Sequence, residues 1–258
     1  MTIYNNEIGN LGHLGNQMFQ YASLQGIAHN RGFDWKIPER DLFGIKYPTL
    51  RSNIYDCFYL DLELNDHVGV NYNIPSVFEG GHGFNEELFN SCDNNVNLSG
   101  YFQSYLYFDN IKKKIKRDFT FRPYILNTST RKRTLAIHVR RTDYVGLAQY
   151  HTNLSEEYYQ NALDAVDSFD KAIVFSDDID WCRSNKIFNG FDFIHVNPYQ
   201  DLQLMSLCDR HIIANSTFGW WGAYLSDSES VVAPRNWFGP ALSDHDPSGY
   251  FLPDWKII

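Results

Sequence analysis

The sequence predicts an α/β fold with a parallel sheet, and three observations carry that reading. From Thr134 onward, short apolar runs alternate with amphipathic stretches, the pattern of strands in a parallel sheet covered by helices. Segments rich in Gly, Arg, Asp, Ser and Asn stand where those strands end, the edge at which open α/β sheets bind ligands. The chain has 258 residues, 43% hydrophobic and 16% aromatic, enough core for one large domain or two small ones.

The second half reads element by element. Residues 134–139 (TLAIHV) form a buried strand. Residues 155–166 form a helix: Ser155 caps it, Glu156 and Glu157 suit its first turn, and Tyr159, Leu163 and Val166 share a face. Strands follow at 171–175, 191–196, 211–214 and 230–233, with helices at 179–185, 199–208 and 217–225 between them. The first half is less regular. A helix spans 16–29, with Met18, Phe19, Ala22, Ile27 and Ala28 as apolar positions. Strands are expected at 33–37, 68–70 and 96–102, and a second helix at 105–118. The polar stretch 127–133 marks a boundary, giving domains 1–130 and 131–258.

Charge and cysteine use narrow the function. There are 31 acidic and 22 basic side chains, a formal net charge of −9. That argues against a general nucleic-acid or anionic-membrane binder. A few focused arginines can still hold a phosphate. The basic run around Lys112 to Arg117 reads as a solvated helix face. The four scattered cysteines (Cys57, Cys92, Cys182, Cys208) read as reduced, partly buried thiols rather than metal ligands. No apolar run approaches the roughly 18 residues of a membrane span, and the N-terminus is polar, so a cytoplasmic location is expected.

Three segments look built for chemistry. Gly9 to Gln17 is a glycine-rich turn running into a helix, which aims backbone N–H groups at an anion; Asn16 and Gln17 add side-chain donors. It matches neither a P-loop nor a dinucleotide fingerprint. His138-Val139-Arg140-Arg141-Thr142-Asp143-Tyr144 closes a buried strand. Neighbouring strand residues face opposite ways, so a strand ending at Arg140 would release Arg141 and Asp143 into a loop. Arginine offers a planar fork for phosphate oxygens; a structural Arg141–Asp143 pair is the alternative. Ala214 to Gly222 places hydroxyls and amides at a strand-to-helix junction, with Trp220 and Trp221 read as core. Between them, Phe175-Ser176-Asp177-Asp178 sets paired acids at another strand end, suited to a metal, ribose hydroxyls, a guanine N–H, or a helix cap. As a glycoside-hydrolase pair they fail, because adjacent residues seldom reach the ~5 Å or wider spacing across a sugar.

Together these segments resemble the GDP-fucose-dependent fucosyltransferases, and most of all the α-1,2-fucosyltransferase family. The resemblance rests on Gly12 to Ala22 (GHLGNQMFQYA), Gly100 to Ser104 (GYFQS), His138 to Tyr144 (HVRRTDY), Phe175 to Cys182 (FSDDIDWC) and Asn215 to Leu225 (NSTFGWWGAYL), in order along nearly the whole chain. It implies a GT-B fold, two Rossmann-like domains facing across a cleft, with the acceptor side in 1–130 and the nucleotide-sugar side in 131–258. It implies an inverting transfer of L-fucose from GDP-fucose to an acceptor glycan, most plainly galactose O2, without a metal or other cofactor. Arg140 would hold the β-phosphate. His138 and one of Asp177 or Asp178 would meet guanine. Ser216, Thr217 and Phe218 would line the diphosphate pocket, with Arg141 and Asn215 completing the donor site. Asn16, Gly12, His13, Gly15 and Gln17 would approach the sugar–phosphate from the other domain.

This chain departs from the family pattern at several positions. Thr142 and His13 stand where glycine is usual, and Gly219 where serine is usual. Ala148 stands where the α-1,6 relatives carry a glutamate base, so the base falls to Asp143, with His151 as the alternative. The rival readings are a catalytically weak nucleotide- or glycan-binding module, and a fucosyltransferase of α-1,6 or α-1,3 linkage.

Overall fold

The structure, a computed structural model, describes residues 1–45, 52–60, 62, 67–123 and 133–258. The expected boundary stretch lies mostly in 124–132, outside the described residues. The chain forms two compact units, Met1–Arg122 with Asp246–Tyr250, and Pro123–His245 with Phe251–Ile258. The return of 246–250 to unit 1 has a local cause. Gly249 abuts the Ser104 side chain, and the Tyr250 hydroxyl donates to Gln103 Oε1 at 3.1 Å.

Unit 1 has a four-stranded parallel sheet, ordered β2-β1-β4-β3. Its strands are β1 (Thr2–Tyr4), β2 (Asp34–Lys36), β3 (Ser76–Phe78) and β4 (Asn97–Ser99). The long helix α1 (Leu14–Arg31) is buried along most of its length and ends on Gly32 in the left-handed conformation. Two short helices follow, α2 (Ile54–Cys57) and α3 (Glu86–Ser91), each capped by an asparagine side chain, Asn53 and Asn85.

Several expectations for this half are corrected. The strand expected at 96–102 stops at Ser99, because Gly100 and Phe102 take positive φ, 152° and 53°. At 68–70 the described backbone makes one isolated bridge, Val68 to Ile37. The helix expected at 105–118 is broken at Phe108 (φ −130°, ψ 9°). Single 3₁₀ turns at Tyr105–Tyr107 and Asp109–Ile111 precede α4 (Lys112–Asp118). On α4, Lys114 reaches inward to the buried Asp118 at 2.7 Å and to Gln25 at 2.6 Å.

Unit 2 is the regular half. Its six-stranded parallel sheet is ordered β10-β9-β8-β5-β6-β7. The strands are β5 (Thr134–Val139), β6 (Lys171–Ser176), β7 (Asp192–Ile194), β8 (Arg210–Ile212), β9 (Ser230–Ala233) and β10 (Lys256–Ile257). The covering helices are α5 (Thr142–Gly146), α6 (Glu156–Ala165), α7 (Ile179–Ser184), α8 (Pro198–Ser206) and α9 (Thr217–Leu225). β5 is buried along its whole length, as a mainly apolar strand between two helical layers should be. Leu135, Ile137 and Val139 pack with Val174, Tyr159 and Phe188 on one face, while Ala136 packs with Phe175 and Met205 on the other. Trp220 and Trp221 are fully buried, in line with the core role read for them. All four cysteines are buried and free. Among the described residues, no helix is long and apolar enough to cross a membrane.

Candidate active site

Because β5, β6 and β8 run parallel, their ends bring three of the chemistry-bearing segments to one edge of unit 2. The register pairs His138 with Phe175 and Val139 with Ser176. Arg140 and Arg141 therefore emerge beside Asp177 and Asp178. The 140–146 segment is not the expected open loop: Arg141 caps α5, Val145 N–H bonds to its carbonyl at 2.8 Å, and Asp143 sits in the first helical turn.

The ion pairing also differs from the Arg141–Asp143 couple that was the structural alternative. Arg140 is shared by two carboxylates, Asp143 at 2.8 Å and Asp177 at 3.3 Å, and its guanidinium lies over the Tyr144 ring at 5.4 Å. Arg141 turns the other way, to Asp178 at 3.3 Å, stacking on Trp181 at 4.0 Å. Asp177 and Asp178, one of which was expected at the guanine, are both engaged within the protein. Asp177 accepts from the Arg141 backbone N–H at 2.9 Å and from the Thr142 hydroxyl; Asp178 caps α7 through Trp181 N–H at 3.1 Å. Thr142, in the usual glycine position, thus serves Asp177. Sequence reasoning missed Tyr144 and Trp181 as site residues. Both lie inside the quoted motifs, and the signal is an aromatic ring placed to receive a guanidinium.

Electrostatics follow from these contacts. Burial would lower the Arg140 guanidinium, but Asp177 and Asp143 outweigh it and hold the charge on. Burial would raise the Asp177 carboxyl, yet the Thr142 hydroxyl, Arg140 and the Arg141 N–H keep it below the usual range. His138 is buried, which drives its imidazole down to about 4; Asp177 opposes and Arg140 assists. It is therefore neutral near pH 7. Its Nδ1 is enclosed without a hydrogen-bond partner among the described residues. Gly219 is the reason α9 can come so close, since a Cβ there would lie 2.6 Å from that nitrogen. The serine usual at this position would force His138 or the helix to move. His151 stacks on Tyr144 at 4.0 Å, and burial lowers its imidazole too.

The 214–218 junction supplies both donors and fixtures. Ser216 caps α9, and Thr217 and Phe218 open its first turn, where a nine-residue helix presents N–H groups to an anion. Phe218 lies 5.7 Å from the His138 ring. Asn215 is a fixture: its amide donates to the Thr152 carbonyl at 3.0 Å and the Trp237 carbonyl at 2.8 Å. The Tyr144 hydroxyl donates to the Asn215 carbonyl at 3.2 Å, tying α5 to this junction.

The remaining predicted residues belong to unit 1. Gly12 has φ +81°, His13 is exposed and caps α1, and Gly15 is buried in the first turn. Asn16 is half-buried and accepts from Gln103 Nε2 at 2.8 Å. Gln17 is a clip rather than a presented donor. It is fully buried, with its amide on the carbonyls of Ser52 at 2.9 Å and Gly12 at 3.4 Å. Among the described residues, no group of three or more His, Cys, Asp or Glu side chains is arranged to hold a metal.

The chain is 32% identical over 276 residues to an α-1,2-colitosyltransferase of Escherichia coli, covering 92% of this chain and 93% of that one. It is 28% identical over 286 residues to galactoside α-(1,2)-fucosyltransferase 2 of Hylobates lar, covering 97% and 78%. In fold it is similar to the fucosyltransferase NodZ from Bradyrhizobium, with TM-score 0.57, 14% identity, and 89% and 94% of the two chains covered. The signature of glycosyl transferase family 11 matches residues 2–258, and the chain belongs to that family.

Proposed function

We propose that the protein transfers L-fucose from GDP-fucose to O2 of a galactose in an acceptor glycan, with inversion at the anomeric carbon. The observation that carries the reading is Arg140, a charged guanidinium at the end of a buried strand, held between two carboxylates and over the ring of Tyr144, whose hydroxyl bonds to the Asn215 carbonyl just before α9. The family and the α-1,2 linkage in the names of both groups of relatives support it.

Breaking the sugar–phosphate bond leaves positive charge on the sugar and negative charge on the departing diphosphate. A fixed guanidinium and helix N–H groups favour that state over the ground state. Asp143 is the more exposed of the two Arg140 partners, 45% against 17% for Asp177. A phosphate oxygen would replace Asp143 on the guanidinium, while Asp177 keeps it oriented. The displaced Asp143 then becomes the carboxylate for the acceptor hydroxyl proton, with the neutral His151 as the alternative base. Asp178 and Trp181 hold Arg141 in the donor site. Ser216, Thr217 and Phe218 serve the diphosphate, and His138 the guanine. Asn16 and the Gly12–Gly15 turn serve the sugar and the acceptor.

The test is incubation with GDP-fucose and lactose, followed by product release of GDP and linkage analysis. Fucose on galactose O2 supports the reading. Binding of GDP with no transfer to any β-galactoside would reduce it to a nucleotide-binding module. The likeness to an α-1,2-colitosyltransferase motivates a second donor arm with nucleotide-activated colitose.

A further inference from the structure

Glu79 follows β3 and is 6% exposed, yet nothing in the proposed reaction uses it. Its backbone continues the pairing of β3 with β4, N–H to the Ser99 carbonyl at 3.1 Å. Its side chain then turns under the next five residues, Gly100 to Ser104. Oε2 accepts from the backbone N–H of Phe102 at 2.7 Å and of Tyr101 at 3.1 Å. Gly100 makes room for this. At φ +152° a Cβ would lie 2.8 Å from Glu79 Cβ and 2.9 Å from Oε2. Phe102 is held at φ +53°, a conformation non-glycine residues avoid unless their surroundings impose it. The Ser23 hydroxyl on the Phe102 carbonyl and Gln20 on the Gly100 carbonyl grip the same turn from α1.

What the turn delivers is Gln103. Its Nε2 donates to Asn16 Oδ1 at 2.8 Å, and its Oε1 accepts from the Tyr250 hydroxyl at 3.1 Å. The amide is thus fixed at both ends, and the adjoining backbone is pinned by Glu79.

We propose that Glu79 is a positioning residue for sugar transfer: its carboxylate clamps the Tyr101–Phe102 backbone, sets Gln103, and through Gln103 orients Asn16. This rests on the assignment of Asn16 to the sugar and acceptor. Glu79 does not act as the base itself. Oε2 is committed to two N–H groups and Oε1 is enclosed, without a partner among the described residues. Burial pushes the carboxyl up to about 7 against the pull of those two N–H groups, which accords with a carboxyl kept for its oxygen rather than its surface charge.

Two mild substitutions separate reach from charge. Glu79→Asp keeps the charge and withdraws the oxygen; Glu79→Gln keeps an acceptor oxygen at the same reach. Each is measured in the full chain for hydrogen exchange at Tyr101 and Phe102, kcat and acceptor KM with lactose at saturating GDP-fucose, and GDP affinity. Glu79→Asp is expected to speed exchange at those two amides at least tenfold. It should lower kcat at least tenfold and leave GDP affinity within threefold. Glu79→Gln is expected to stay within threefold of the native kcat. Adding Gln103→Ala to Glu79→Asp should cost less than twofold beyond the worse single variant, because both act along one route.

The proposal is overturned by any of four results: unchanged exchange in Glu79→Asp, near-native kcat in Glu79→Asp, an inactive Glu79→Gln beside an active Glu79→Asp, or multiplying losses in the double variant. A loss of GDP affinity in step with kcat would mark a merely structural residue and overturn it too. Absence of transfer by the unmutated protein defeats the functional reading instead, while the exchange measurement still decides the clamp.

Discussion

The two units place their chemistry on different supports. In unit 2 the site residues hang from the ends of buried, mainly apolar strands, whose packing is made by side chains other than Arg140 and Arg141. In unit 1 the corresponding turns are built by the polar side chains themselves. Gln20 holds the carbonyls of Leu11 and Gly100, Gln17 those of Gly12 and Ser52, and Asn5 Oδ1 accepts from the N–H of Glu7 and Ile8. Polar substitutions should therefore separate activity from stability in unit 2 and damage both together in unit 1.

Arg140→Ala gives the largest effect and the cleanest separation. Loss of one charge-assisted contact to the leaving group should cost ~3–4 kcal/mol of barrier, or ~10²–10³ in kcat. The melting temperature should hold, because Arg140 leaves two carboxylates that are partly solvated. A matching fall in melting temperature would break the contrast. Gln20→Ala is the counterpart in unit 1. It removes a shared donor from two half-buried carbonyls, at ~1–3 kcal/mol, so melting temperature and transfer rate should drop together. A stable but inactive Gln20→Ala would show that unit 1 separates the two as well.

The contrast in support also explains what the sequence made legible. In unit 2 an apolar run such as TLAIHV announces a buried strand, and the helix over Thr217–Leu225 and the strand over Ser230–Ala233 lie where periodicity places them. In unit 1 the strands are three residues long, and β3 reads SVF with both end residues exposed. No periodicity forms over so short a span, so β1, β3 and α3 pass unnoticed. The site follows the same division. The motif residues at the strand ends of unit 2 come together, but which acid pairs with which arginine depends on α5, a single turn no pattern announced. Glu79 was invisible because its partners are backbone N–H groups 22 and 23 residues away.

Acidity should act on the units with opposite sign. His138 holds its proton only below about 4 when folded, against about 6.5 unfolded, so the unfolded chain binds protons the fold refuses. Its contribution is present above ~6.5 and lost as pH falls toward ~4. Glu79 is raised to about 7 from 4.5, so the fold keeps a proton the unfolded chain has released. Its contribution is present below ~4.5 and lost as pH rises toward ~7. Hydrogen exchange at pH 5 and 7.5, corrected for intrinsic rates, should show unit 2 loosening in acid and unit 1 tightening. His138→Gln should lessen the unit 2 slope, the remainder coming from the buried His211, whose imidazole is also lowered to about 4, and Glu79→Gln should flatten the unit 1 slope. Parallel slopes in the two units would contradict the assignment.

The smallest expected effect is that of EDTA, which should leave the transfer rate within experimental scatter, since the proposed mechanism draws its positive field at the leaving group from Arg140 and the α9 N–H groups. A loss reversed by added divalent cation would move Asp177 and Asp178 from arginine partners to metal ligands.

A crystal structure with GDP bound decides most directly whether Arg140 receives the departing phosphate. The prediction is a β-phosphate oxygen within hydrogen-bond distance of the guanidinium, Asp177 still paired to it and Asp143 turned away. An Arg140 that keeps both carboxylates while the diphosphate lies elsewhere would contradict the mechanism.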